Sequence, residues 1–281
     1  MIVVTGATGN VGRSLVRTLA AAGEKVRATS RGIAGRDVPE GVDWRRADLA
    51  DTETLRPVFD GARALFLQNG GAGAHLLDVG DILGAAAAGG VERVVLLSSQ
   101  GVVTRPDSPS HGVLMRSIED AVRRSGLEWT ILRPGGFASN TYAWADSVRT
   151  SRTVAAPFGD VGLPVVDPAD IAEVAAAALR DPAHAGHVHE LTGPAPITPR
   201  EQAEAIAEAL GEPVHFTEQT HEQARAQLLH FMPAPVVDTT LAILGTPTPA
   251  ETRVSPDIER VLGRAPRAYG EWARRNEAAF R

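Results

Sequence analysis

Three glycines at the spacing Gly6-x-x-Gly9-x-x-Gly12 stand between a short apolar run and a segment of helical periodicity, an arrangement suited to binding a phosphate. Each glycine has a physical task. One lets the chain reverse tightly, one lets the backbone approach a pyrophosphate, and one lets a helix pack closely on a strand. The first N–H groups of a helix have no internal partner and carry partial positive charge, so they favour an anion. The residues Gly6, Thr8, Gly9, Asn10, Val11 and Gly12 are therefore expected to contact a dinucleotide. The spacing differs from the commoner G-x-G-x-x-G, and a plain structural turn is the alternative. The next strand selects the dinucleotide. NAD sites usually place an Asp or Glu there, whereas this chain reads Thr29-Ser30-Arg31. Arg31 can pair with a 2′-phosphate and Ser30 can donate a hydrogen bond, so NADP(H) is the expected cofactor, with Arg36 as an alternative cation.

These residues need a frame to hold them. Met1 to Val4 is β-branched and too short for a helix, Arg13 to Ala22 is helical with Leu15, Val16 and Leu19 on one face, and Lys25 to Thr29 is a second strand. Strands follow at Val42–Arg46, Ala64–Gln68, Val94–Ser99 and Trp129–Arg133, alternating with helices at Asp51–Phe59, His75–Ala88 and Ser110–Ser125. Alternation of this kind implies α/β architecture, a Rossmann-type doubly wound parallel sheet with ligands beyond the strand C-termini. That edge collects Gln68, Asn69, Ser98, Ser99, Gln100 and Pro134 to Phe137. Asp48 and Leu49 sit where an adenine could rest, or form a turn and a core contact. Ser98 and Ser99 either bond the nicotinamide ribose or cap their strand, since no nucleophile elbow surrounds them. Pro134 joins the cofactor set. Gln100, Gly136, Phe137, Asn140, Tyr142 and Trp144 are the expected substrate pocket.

Beyond Asn140 the pattern changes. Residues 1–150 read as the NAD(P)-binding domain and 151–281 as a smaller, mixed α/β and mostly helical substrate lobe, with 165–192 returning to the first sheet. Val154 to Val166 suits a hairpin or loop. Asp167-Pro168 caps a helix to Arg180, Val188–Thr192 is a late strand, Thr198-Pro199-Arg200-Glu201 is a capping box, and Val214–Phe216 is a further strand.

Bulk properties narrow the function. The chain has 281 residues, a net charge of −6 with interspersed signs, and no cysteine. Thiolate catalysis and disulfides are excluded, and nucleic-acid or membrane-surface binding is disfavoured. No apolar run approaches the ~20 residues of a membrane span. The N-terminus leads straight into a strand, so no signal peptide is expected and the cytoplasm is the default location. His184, His187 and His189 invite a metal reading, but without cysteine or a His-x-x-x-His helix no metal is expected. A monomer and a homodimer both remain open.

Several stretches together resemble the NmrA-like atypical short-chain dehydrogenases: Thr5 to Gly12, Ser98-Ser99, Ser125 to Phe137, Leu191 to Pro194, and Val261 to Tyr269 with Trp272. The resemblance covers essentially the whole chain and is nearest the branch holding NADPH quinone oxidoreductase type 2 and triphenylmethane reductase. It implies a Rossmann domain, a small C-terminal lobe and NADP in the groove between them. The family also includes NADP-binding redox sensors without catalysis and tailoring enzymes of aromatic polyketides. Ordinary short-chain dehydrogenases carry Tyr-x-x-x-Lys, with a Glu four residues past the Lys. Counting back from Glu119 puts Met115 at the Lys and His111 at the Tyr. A thioether cannot replace the ammonium. His111 is then the candidate acid, although Pro109 and Gly112 place it in a loop. The expected function is NADPH-dependent hydride transfer to a flat conjugated acceptor such as a quinone or aromatic polyketide. A non-catalytic NADP sensor and an oxygenase or other tailoring enzyme are the alternatives.

Overall fold

The computed structural model describes residues 1–32, 38–68 and 71–281. Nine strands are described: β1 (Ile2–Val4), β2 (Val26–Ser30), β3 (Asp43–Arg46), β4 (Ala64–Gln68), β5 (Arg93–Leu97), β6 (Glu128–Pro134), β7 (Thr153–Ala156), β8 (Val188–Leu191) and β9 (His215–Glu218). The helices in the first half of the chain are α1 (Asn10–Ala21), α2 (Thr52–Phe59), α3 (Val79–Ala88), α4 (Gly101–Thr104), α5 (Leu114–Arg124) and α6 (Ala145–Ser151). Six more follow: α7 (Pro168–Arg180), α8 (Pro199–Leu210), α9 (His221–Leu228), α10 (Ala234–Gly245), α11 (Asp257–Leu262) and α12 (Tyr269–Arg275).

The main sheet has the order β3-β2-β1-β4-β5-β6-β8 and every pairing in it is parallel. Such strands are covered on both faces, which is why β1 and β5 read as unbroken apolar runs. One face packs Val4, Ala28 and Val95 against Leu15 and Leu19 of α1 and Ile171 and Val174 of α7. The other packs Val3, Leu65 and Ile131 against Leu55 of α2, Ile82 of α3 and Ile118 of α5. A third core lies in the C-terminal part, where Ile206 and Leu210 of α8 meet Tyr269 and Trp272 of α12 and Phe280.

Three local expectations need correcting. The helix expected from His75 begins instead at Val79, after a 3₁₀ segment Gly71–Leu76, because the Asp78 carboxylate accepts the Asp81 N–H at 2.9 Å and caps the start. Val154 to Val166 holds no hairpin. Its strand β7 pairs in parallel with β9, with Val154 opposite Phe216, so its partner is remote in sequence. The helix expected from Ser110 opens with a π-helical turn, Pro109–Val113, and His111 lies in that turn rather than in a loop. Ser108 sets the turn: its carbonyl accepts the N–H groups of both Gly112 and Val113, and its Oγ accepts that of His111 at 3.3 Å. Single π-turns are frequent at functional sites.

Candidate functional site

The glycine loop hangs between β2 and β4. Thr5 Oγ1 donates to the Phe66 carbonyl at 2.8 Å and accepts the Gln68 N–H at 3.1 Å, while the Ala7 N–H donates to Thr29 O at 2.9 Å. The three glycines have separate reasons. Gly6 has φ +62°, and a Cβ there would meet the Gln68 side chain at 2.8 Å. A Cβ on Gly12 would collide with the Gly6 carbonyl and come within 2.9 Å of Ala7 Cα. A Cβ on Gly9 would meet only Gly6 O, at 3.3 Å, and would otherwise project into open space. Gly6 and Gly12 thus shape the loop, and Gly9 leaves room in front of it.

Gly9 is also the N-cap of α1, and no side chain caps this helix. The first intrahelical bond runs from the Arg13 N–H to Gly9 O at 3.0 Å, so the N–H groups of Asn10, Val11 and Gly12 precede the hydrogen-bond ladder. These donors and the helix dipole suit a pyrophosphate. Thr8 is exposed beside them. The Asn10 side chain turns across the groove and donates to Ser139 Oγ at 3.0 Å, tying the loop to the segment after β6. Nothing in the sequence around Asn10 signals that bridge.

On the β2 side, Arg31 is exposed. Ser30 is buried, and its hydroxyl proton goes to the Gly32 carbonyl at 3.1 Å rather than outward. Asp48 forms a turn in which one carboxylate oxygen accepts the Ala50 N–H at 3.1 Å, and Leu49 leans on the core beside Leu55. Asn69 and Arg36 lie outside the described residues.

At the β5 end, Ser98 is buried and donates to Glu119 Oε1 at 2.7 Å, so its proton is not available to a ribose. Glu119 is fully buried and also holds both arms of the Arg133 guanidinium, at 2.8 and 2.6 Å, and Arg123 at 2.9 Å. Burial alone would raise the Glu119 carboxyl, but Arg133, Ser98 and Arg123 together hold it below its ordinary value. The residue that marks the missing Tyr-x-x-x-Lys set is thus the clamp joining α5, β5 and β6. The Tyr142 hydroxyl donates to Asn276 Oδ1 at 2.7 Å and its ring packs among Trp272 and Phe280, with Trp144 at the margin of the same core.

The remaining pocket candidates stay at the sheet edge. Ser99 Oγ accepts the Gly101 N–H at 3.1 Å, and the Gln100 N–H donates to the carbonyl of the buried Pro134 at 3.0 Å. Gln100 lays its amide so close to Gly135 that a Cβ there would sit 3.3 Å away. Gly136 O accepts the Val166 N–H at 2.8 Å, Phe137 is half-buried against the first core, and Asn140 is exposed. His111 Nδ1 lies 2.8 Å from Ser110 Oγ. Burial, with Arg105, lowers its pKa against the opposing pull of Glu251. Met115 is buried where the Lys would stand. Arg105 forks onto buried Glu251, 146 residues away, with two bonds of 2.8 Å and onto the carbonyls of Ala242 and Thr246, locking the end of α4 to the end of α10 and the turn beyond it.

A family model described as NAD(P)H-binding matches residues 6–182, which spans the glycine loop, every strand of the main sheet except β1 and β8, and helix α7. The chain belongs to this NAD(P)H-binding family. Membership agrees with the resemblance to the NmrA-like atypical short-chain dehydrogenases. Within the curated relatives, the (4-alkanoyl-5-oxo-2,5-dihydrofuran-3-yl)methyl phosphate reductase of Streptomyces griseus is 37% identical over 289 residues, covering 100% of this chain and 99% of that protein. The NAD(P)H azoreductase of Xenophilus azovorans is 30% identical over 285 residues, with the same coverage. The fold matches that of Citrobacter sp. triphenylmethane reductase complexed with NADP(H), at a TM-score of 0.80 and 21% identity, covering 99% of this chain and 100% of that one. The glycine cradle fits the family's dinucleotide, since a side chain at Gly9 would fill the space in front of the free N–H groups.

Among the described residues, no group of His, Cys, Asp and Glu is arranged to hold a metal, and no helix is long and apolar enough to cross a membrane. Of the three histidines at β8, His187 stacks on His189 with ring centres 6.0 Å apart, and His184 meets His189 edge-on at 5.3 Å. His189 Nε2 is buried without a hydrogen-bond partner among the described residues. Burial first, then His184 and His187, lowers its pKa, with Asp257 opposing. The unfolded chain takes up this proton near pH 6.5 and the folded chain only below that, so the unfolded state binds more protons as pH falls. Thermal stability is expected to drop below about pH 6.5, and more steeply in the wild type than in His189→Gln. Melting curves from pH 7.5 to 5.0 check this.

Proposed function

We propose that the protein is an NADPH-dependent reductase that delivers hydride to a flat, electron-poor conjugated acceptor, such as a quinone or an unsaturated ketone or lactone. One observation carries the reading: a dinucleotide cradle opens at the strand C-termini while the usual acid machinery is missing, with Met115 at the Lys position and the Glu119 carboxylate fully engaged. The names of the two full-length relatives support it, because a conjugated oxo-dihydrofuran and an azo bond are both electron-poor π systems. Residues 1–150 would hold the cofactor and 151–281 the acceptor, in the cytoplasm.

Bound NADPH supplies a hydride from its nicotinamide ring. The chain's own contribution is placement. The N–H groups of Asn10, Val11 and Gly12 would hold the pyrophosphate, Arg31 would meet the 2′-phosphate, and the segment Pro134 to Gly136 with Gln100 would hold the nicotinamide end. Phe137, half-buried at the end of this segment, would flank a flat acceptor. An acceptor with strong electron demand takes the hydride without a matched acid, and holding two reactants in register accounts for much of the acceleration. The final proton then comes from water.

His111→Ala is accordingly expected to cost less than about tenfold in kcat/KM, where a true general acid contributes ~10²–10⁴. A loss of a hundredfold with a shifted pH profile would restore acid catalysis at His111. The reading as a whole is tested by following NADPH oxidation over a panel of quinones, enones and azo compounds, with and without oxygen. Turnover independent of oxygen supports the reductase. Tight NADPH binding without turnover on any acceptor supports the sensor, and oxygen-dependent consumption supports the oxygenase.

A further inference from the structure

Helix α1 and strand β3 enclose a niche of about 60 Å³ beside the glycine loop, walled by Thr8, Arg13, Val16, Val38, Pro39 and Trp44. Arg13 reaches back along α1 and donates from Nη2 to Thr8 O at 3.3 Å, a neutral acceptor that fixes the guanidinium beside the loop without cancelling its charge. No carboxylate pairs with Arg13 among the described residues. The carboxylate on β3, Asp43, is spent between Arg27 at 2.7 Å and Arg45 at 2.8 Å.

The strand register brings a second cation to this side. Ser30 pairs with Arg46, and Ala28 with Trp44. Side chains alternate along a strand, so Arg46 shares the face of Trp44, which packs on the same core as Ala28 and Val16. Arg46 is exposed, and no carboxylate pairs with it among the described residues. The Ala7 N–H bond to Thr29 O holds Thr8 at the end of β2, next to Ser30 and Arg31. Arg13 from the helix, Arg31 from the end of β2 and Arg46 from β3 therefore surround one corner of the sheet edge with no neutralising acid among the described residues.

We propose that Arg13 is a specificity-determining residue for the 2′-phosphate of the dinucleotide, gripping it from the helix side opposite Arg31, with Arg46 adding long-range attraction. This rests on the NADPH reading above and goes beyond it, since the sequence pattern assigned that phosphate to Ser30 and Arg31. The structure gives the reason for a second grip: the Ser30 hydroxyl is directed to Gly32 O. A planar guanidinium anchored at one nitrogen still offers donors for a phosphate.

The test is calorimetric titration of NADPH and NADH, with competition by 2′,5′-ADP and 5′-AMP, on wild type, Arg13→Ala, Arg13→Lys and Arg46→Ala, each checked by its melting curve. Arg13→Ala is expected to weaken NADPH and 2′,5′-ADP by more than about tenfold while NADH and 5′-AMP change less than about twofold. Arg13→Lys should recover part of the loss, and Arg46→Ala should lose a few-fold that disappears in high salt. An unchanged NADPH-to-NADH ratio in Arg13→Ala, or equal weakening of both dinucleotides, overturns the assignment. A wild type with no preference for NADPH overturns the underlying cofactor reading instead, so the two failures are separable.

Discussion

Gly9→Val is expected to abolish dinucleotide binding, weakening it by at least about a hundredfold, while the melting temperature stays within a few degrees of wild type. Gly9 has φ −76° and ψ 171°, a conformation valine adopts readily, and a Cβ there meets only one carbonyl at 3.3 Å. The branched side chain instead fills the volume in front of the unpaired N–H groups of α1. Gly12→Val should behave differently. Its Cβ would strike the Gly6 carbonyl, so the loop must move and stability must fall together with binding. Titration of NADPH alongside thermal melts of both variants separates a filled site from a broken loop. Unaltered affinity in a well-folded Gly9→Val would show the loop to be a structural turn only.

Glu119→Leu is expected to be the most destabilising single change described here, at about 3–5 kcal/mol, because it leaves a largely buried guanidinium on Arg133 without its counter-charge. Ser98 and Arg123 lose their acceptor at the same time. Glu119→Gln keeps the shape and one carbonyl acceptor, so it should lose less. The Arg133→Met and Glu119→Leu double variant should recover much of the loss, since an apolar pair of similar volume removes the orphaned charge. Urea denaturation of the set measures the coupling. A Glu119→Leu variant that unfolds at the wild-type midpoint yet loses turnover would make Glu119 a functional carboxylate instead.

Those two sites show what the sequence carried and what it could not. The glycine spacing announced the cradle because its requirement is local: a strand, a turn and a helix within thirty residues, each with its own period. The all-parallel sheet followed from the same alternation. The caps at Asp167 and Thr198 were legible for the same reason, since each side chain serves an N–H two or three residues away. The partner of Ser98 was not legible because Glu119 sits 21 residues on, and a hydroxyl at a strand end looks the same whether it faces a ligand or a buried acid. The bond from Tyr142 to Asn276 was hidden for a like reason, its partner being 134 residues away. The Arg105–Glu251 lock and the β7–β9 pairing join segments whose own sequences carry no sign of each other. The π-turn at His111 was hidden because the sequence signals there, Pro109 and Gly112, mark a loop and a widened helical turn equally well.

The central claim is that hydride passes directly from NADPH to a conjugated acceptor in this groove. The measurement that meets it most directly is anaerobic oxidation of NADPH by a quinone, compared with NADPH deuterated at the transferred position of the nicotinamide. One NADPH is expected to be consumed per quinone reduced, more slowly with the deuterated cofactor, and Gly9→Val is expected to abolish the turnover. Binding of NADPH with no consumption, or consumption that requires oxygen and shows no isotope effect, would contradict it.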